Sequence, residues 1–208
     1  MLLDDLPAPR LTLRCHPATP APMVRAIEAH ATIRPDGSLA ITYRLWGEMA
    51  HLRIPAPQLP DRTAALWEHT CFEAFVATAN GSAYREFNFS PSGQWAAYAF
   101  SDYRRRDESA APGTPPQITS RRLAGRLELA AIVAPDALPP GAVTLRLGLS
   151  AVVEAADAPQ MKGPMAQNPL RDTVDGSHSY WALQHPAARP DFHHRAAFTL
   201  ELAARNSV

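Results

Sequence analysis

Cysteine is almost absent: Cys15 and Cys71 are the two in 208 residues, far apart and outside any CxxC pattern. A disulfide framework and a thiolate zinc centre are thereby excluded as the basis of the fold, and two free thiols are expected. An excess of charge of either sign is missing too. Lys plus Arg and Asp plus Glu stand at 20 each, so nothing points to nucleic acid or an anionic membrane surface as a partner. The densest basic run, Arg104, Arg105 and Arg106, is followed at once by Asp107 and Glu108 and reads as a solvated loop. No apolar run approaches the roughly 20 residues of a membrane span. The opening MLLDDLPAPR carries two acidic residues where a secretory signal has a basic start and an apolar stretch, so a cytoplasmic protein is expected.

Helical periodicity is the other absence. Apolar residues recur with period two through most of the chain: Ile27, Ala29, Ala31 and Ile33 alternate with Glu28, His30, Thr32 and Arg34. Asp36-Gly37 then supplies a hairpin turn, and Leu39, Ile41, Tyr43 and Leu45 resume the pattern. A second hairpin runs from Ala83 to Phe89 and from Gln94 to Phe100 around Ser90-Pro91-Ser92-Gly93, a type I turn sequence. A third joins Gln117–Ala124 to Arg126–Ala134 at Gly125. Val143–Glu154, Phe198–Leu202 and Arg10–Cys15 are further strands. The 21 prolines sit mostly between these runs, as strands require. About ten strands without a long helix predict an all-β fold, an antiparallel β-sandwich. One domain over residues 1–208 is expected, since apolar residues make up 46% and can fill a single core. Ala155 to Ser177 fits poorly, being aperiodic and longer than most loops in compact domains; it either moves or covers something.

Within LWEHTCFEAFVAT, residues 66–78, both faces become largely apolar from Thr70 onward, which marks a central strand. Glu73 is the anomaly. A carboxylate there is either satisfied by a neighbouring Arg or backbone group, or faces a wet concavity. His69, Cys71 and Glu73 alternate along the strand about 6.6 Å apart per step, too widely spaced to serve one tetrahedral metal unaided. Cys71 reads as a core residue. In YREFNF, Tyr84, Glu86 and Asn88 share one face while Arg85, Phe87 and Phe89 share the other. If this strand lies beside the first, Glu86 and Asn88 extend the Glu73 face into a polar concavity suited to a hydroxyl-rich ligand; otherwise they form an ordinary solvent face. Arg85 is a candidate partner for a carboxylate. Tyr180 and Trp181 follow the irregular stretch, and His193 and His194, pointing to opposite sides, suit capping or hydrogen bonding at a corner better than chelation.

The segments LWEHTCFEAFVA, YREFNFSPSGQWAAYAF, SYWALQHP and PDFHH resemble the DOMON-like domain proteins and, more distantly, the family 9 carbohydrate-binding modules. The resemblance runs from about Ala26 to Leu202. It implies a β-sandwich of jelly-roll or immunoglobulin-like character that binds a small polar ligand, a sugar or sugar-like metabolite, without catalysis and without a cofactor. Two tryptophans of the family 9 modules stack on opposite faces of a terminal sugar; the resemblance places Trp67 and Trp181 there and Glu73 at an acidic hydrogen-bonding position. One intercalated ring needs the two indoles facing each other across roughly 7–8 Å. Trp67 and Glu73 would be about 20 Å apart on a continuous strand, so the chain must bend between them, with Trp67 in the incoming loop and the strand starting near Thr70. The residues departing from the resemblance are the long stretch 155–177 and the missing secretory start. Two rival readings remain, a haem- or metal-binding domain and an interaction module with an unused pocket; Met49, Met161 and Met165 are poor counterparts for the axial Met of haem-binding DOMON members.

Overall fold

A computed structural model describes residues 10–156 and 178–203. Twelve strands stand among them: β1 (Leu11–Cys15), β2 (Val24–Ile33), β3 (Leu39–Gly47), β4 (Cys71–Thr78), β5 (Tyr84–Phe89), β6 (Trp95–Asp102), β7 (Arg105–Arg106), β8 (Gln117–Leu123), β9 (Arg126–Val133), β10 (Thr144–Glu154), β11 (His178–Ala182) and β12 (Leu200–Ala203). The helical elements among the described residues are four single 3-10 turns. The three hairpins form where alternation and turn residues place them, and every pairing between these twelve strands is antiparallel.

Turn chemistry explains the two sharpest reversals. Ser38 donates its N–H and its hydroxyl to Asp36 Oδ1, at 3.0 and 2.6 Å, while Gly37 takes φ +80°. Gly93, at φ +94°, closes the β5–β6 turn by donating its N–H to Ser90 O at 3.0 Å. Both backbone angles are ones that a residue with a Cβ rarely adopts.

The strands form two layers. One is ordered β8-β9-β3-β2-β1 and the other β7-β6-β5-β4-β10-β11, with β12 beside the first half of β10. β1 belongs to both, pairing with β2 through Leu11–Leu13 and with β11 through Arg14 and Cys15. The inward faces interleave as a β-sandwich core. Ile27, Leu39, Ile41, Tyr43, Leu127 and Leu129 come from one layer; Phe72, Val76, Phe87, Phe89, Leu147 and Leu149 come from the other. Each such buried side chain contributes roughly 1.5–3 kcal/mol. Tyr43 ties the layers together, stacking on Phe72 at 4.9 Å and donating its hydroxyl to Glu73 O at 2.7 Å. The proline-rich segment after β3 shields the open edge of β6, where Trp95 N–H donates to Asp61 O and Thr63 N–H to Trp95 O. That blunts an edge otherwise free to pair with another chain.

β4 is central in its layer, between β5 and β10, and is buried along seven of its eight residues. Its inner face enters the core. Its outer face, with Glu73, does not.

Candidate functional site

The outer face of β4 and β5 carries the polar floor of a cleft. Register sets Glu73 opposite Asn88 on β5 and opposite Ser150 on β10, and Phe75 opposite Glu86. The two glutamates are diagonal neighbours, 3% and 6% exposed, and Asn88 is fully buried. Asn88 Nδ2 donates to Glu86 Oε1 at 2.7 Å. The Ser150 hydroxyl, also buried, has no polar partner other than the Glu73 carboxyl among the described residues.

Aromatic and basic side chains wall this floor into a cleft of about 420 Å³, lined by Trp67, Glu73, Phe75, Glu86, Phe100, Arg104, Arg106, Val152, Tyr180, Pro190, Phe192 and His193. Trp67 stands on the 3-10 turn Leu66–Glu68, before β4 begins. The chain is therefore not extended from Trp67 to Glu73: the 3-10 turn, entered through Ala65 at φ 57°, ends at Glu68, and extended backbone resumes at His69. Trp67 is 40% exposed and meets Tyr98 edge-on at 6.1 Å. Tyr180 arrives on β11, opposite Val152 of β10. Phe100 shares its register pair, and so its face, with Arg106 across the tight β6–β7 turn. Arg106 lies over the Tyr98 ring at 4.1 Å, a cation–π arrangement.

Burial, and after it the Glu86 carboxyl, push Glu73 well above the usual carboxylate range; Ser150 favours the charged form only weakly in comparison. Burial also raises Glu86, against the pull of the Asn88 bond and of the Arg106 and Arg104 charges. Burial and the nearby Arg104 charge lower His193 to about 4. The Tyr84 hydroxyl accepts the Arg104 backbone N–H at 3.1 Å and meets His193 Nδ1 at 2.7 Å. Its proton is then donated to Nδ1, leaving the ring proton on Nε2, 3.7 Å from Glu86 Oε2. For Asp191 burial works against the charge, but bonds from Tyr103 at 2.7 Å and Arg104 at 3.0 Å outweigh it and hold the carboxylate below its ordinary value. Cys71 lies behind Glu73 with its thiol raised by burial and by that carboxyl, so it is a protonated core residue rather than a nucleophile.

Of the residues expected at the site, Trp67, Glu73, Glu86 and Tyr180 line the cleft, and Asn88 backs it through Glu86. Trp181 does not. It pairs with Ala151 on the inward face, lies in the inter-sheet core and donates Nε1–H to Ser179 Oγ at 3.0 Å. Adjacent strand residues face opposite ways, so Tyr180 and Trp181 cannot both reach the cleft, and pairing with β10 selects Tyr180. The clamp of two facing indoles is therefore not formed. Arg85 is likewise turned away from its neighbour Glu86, reaching Ala111 O at 2.6 Å instead of a site carboxylate.

Arg104 and Arg106, expected in a solvated loop, instead edge the cleft. The signal for them was the alternation Tyr98, Phe100, continued across the turn by Arg106, which tracing faces through a two-residue strand would have exposed. Phe192 and His193 come from the segment between β11 and β12, where no periodicity marks them. His194 caps the 3-10 turn Arg195–Ala197, its Nδ1 accepting Ala196 N–H. Met49 is buried in the core, while Met161, Met165 and nearly all of the stretch 155–177 lie outside the described residues. Among the described residues no group of three or more His, Cys, Asp or Glu side chains could hold a metal ion. A larger opening of about 930 Å³ lies where β1 crosses between the layers. Its histidines are engaged with backbone: His16 Nε2 with Ala187 O and His185 Nε2 with Arg14 O.

The fold is that of an antiparallel β-sandwich, and solved structures share it. No family model matches the chain, and no curated protein matches it. A candidate carbohydrate-binding protein from Bacteroides uniformis is similar in fold, with a TM-score of 0.65 at 15% identity over 94% of this chain and 85% of that one. A family 9 carbohydrate-binding module from Caldicellulosiruptor kristjanssonii is similar as well. Its complex with cellotriose gives a TM-score of 0.54 at 10% identity, over 96% of this chain and 84% of that one. Its complex with glucose gives 0.52 at 8%, over 95% and 87%.

Proposed function

We propose that the outer-face cleft binds a small hydroxyl-rich ligand, a sugar or sugar-like metabolite, and does not transform it. The observation carrying this reading is the combination of two amphipathic aromatics, Trp67 and Tyr180, with a buried polar floor of Glu73 and Glu86 in one small cleft. Aromatic faces take the C–H surface of a sugar ring, while carboxyl groups and an amide fix its hydroxyls. The loss of Trp181 from the site replaces the expected double-indole clamp by a tryptophan and a tyrosine. Support also comes from the fold's likeness to modules seen with glucose and cellotriose, and from the strand motifs that resemble the DOMON-like group. A cytoplasmic setting, with both thiols reduced, belongs to the same proposal.

The test is titration of intrinsic tryptophan fluorescence, backed by calorimetry, with a panel of hexoses, hexosamines, pentoses and β-linked disaccharides. Saturable binding at millimolar affinity or better, lost in Trp67→Ala, is the expected result. Binding near 1 mM corresponds to about 4 kcal/mol, so losing even ~1–2 kcal/mol of stacking removes most of the signal. A panel without any saturable response overturns the reading.

A further inference from the structure

We infer that Glu73 is the seat for a protonated amine of the bound ligand, which makes the preferred ligand an amino sugar rather than a neutral one. This rests on the sugar-binding reading of the same cleft.

Glu73 is the least compensated polar group in the site. It is 3% exposed and lines the cleft. Among the described residues no cation lies within ion-pair distance of it, whereas Glu86 has His193 Nε2 at 3.7 Å and the Arg104 and Arg106 charges on its side. The Ser150 hydroxyl directly opposite Glu73 in register is buried with no polar partner other than that carboxyl among the described residues. Glu73 and Ser150 thus stand on one face with only each other as polar partners, which leaves most of the carboxyl's hydrogen-bonding capacity open to the cleft. A neutral hydroxyl can bond to the carboxyl in its protonated form and leaves that proton in place. An ammonium group instead takes the carboxyl in its charged form, donates to it, and offsets the repulsion from Glu86 that the charge brings. The walls agree with this: Trp67, Phe75, Tyr180 and Phe192 surround the floor, and aromatic faces attract cations. Arg104 is engaged by Asp191 at 3.0 Å and Arg106 lies over Tyr98, so the two guanidinium groups are held at the Glu86 side.

Proton linkage follows from the same geometry. The charged and titratable groups around Glu73 are Glu86 on β5, Cys71 on its own strand, Tyr43 from the opposite layer, and Arg104, Arg106 and His193 at the cleft edge. Burial and Glu86 favour a proton on Glu73 in the free protein. An arriving ammonium displaces that proton, so binding releases it to solvent.

The experiment is calorimetry on the intact chain with glucose, glucosamine, N-acetylglucosamine and methylammonium, each in two buffers of different ionisation enthalpy. Glucosamine should bind about tenfold or more tightly than glucose or N-acetylglucosamine, as a charge-assisted bond is stronger than a neutral one. Its heat should depend on the buffer, reporting proton release, and Glu73→Gln should erase both the preference and the release. Equal affinities for the three sugars would overturn the amine seat and leave the sugar reading standing. Methylammonium competing with no sugar response would do the reverse. If Glu73→Gln does not fold, the wild-type buffer dependence decides alone: glucosamine heats identical in both buffers overturn the inference.

Discussion

Replacing His193 by Asn should remove an acid-sensitive contribution to stability. The ring is packed by Phe75 and Phe100, each at 5.1 Å, and by Tyr84 at 5.8 Å, and it accepts the Tyr84 hydroxyl at 2.7 Å. In the fold its proton affinity falls from an ordinary value of 6.5 to about 4, with burial the largest cause. Above pH ~6.5 the ring is neutral in both states and the full stability is present. Between there and about 4 the unfolded chain takes up a proton that the folded chain refuses, so stability is lost as pH falls. At ~1.4 kcal/mol per pH unit the whole interval is worth roughly 3 kcal/mol, and about 2 kcal/mol once solvent contact with a side chain 17% exposed is allowed for. His193→Asn should therefore be the less stable protein at pH 7.5, having lost ring packing and the bond from Tyr84. Its deficit should narrow by about 2 kcal/mol by pH 4. Urea unfolding across this range measures the gap directly, and taking the difference cancels the titration of groups distant from His193. A gap that widens in acid would refute the reasoning and mean that His193 is charged and paired with Glu86.

Glu73→Gln should show the opposite dependence: a carboxyl raised by burial and by Glu86 loses stability for the fold as pH climbs above ~4.3. The variant should thus melt higher than wild type at pH 8 and close to it at pH 4, each kcal/mol appearing as roughly 2–4 °C; a lower melting point at both pH values would assign Glu73 a structural pairing instead. The two tryptophans should separate cleanly in a single pair of assays. Trp181→Ala empties a core site and should cost roughly 3–5 kcal/mol, whereas Trp67→Ala should leave the melting temperature nearly unchanged and abolish ligand-induced fluorescence change. Equal destabilisation by both would contradict their placement.

What the sequence determined by itself was local and periodic. Alternation from Ile27 onward, the Asp36-Gly37 and Ser90–Gly93 turns and the doubly apolar run after Thr70 were enough to place the hairpins and the central strand, because side-chain period and turn geometry are properties of a few neighbouring residues. The bend after Trp67 was legible only with the family resemblance, which sets Trp67 and Glu73 on one ligand that an extended strand could not let both reach. The polar face of Glu73, Glu86 and Asn88 was legible only conditionally: it existed if β5 lay beside β4, and the register Glu73 with Asn88 supplied that condition. What only the tertiary structure decided was which neighbour each long-range partner would meet. Tyr180 and Trp181 are equivalent in sequence, and a one-residue change in pairing with β10 would exchange their faces. Arg106 reaches the cleft because a two-residue strand folds back on β6, and His193 because an irregular segment crosses the sheet. Arg106 still follows the face of Tyr98 and Phe100 just before it, whereas the Tyr84 hydroxyl that holds His193 lies 109 positions away and leaves no period in the sequence.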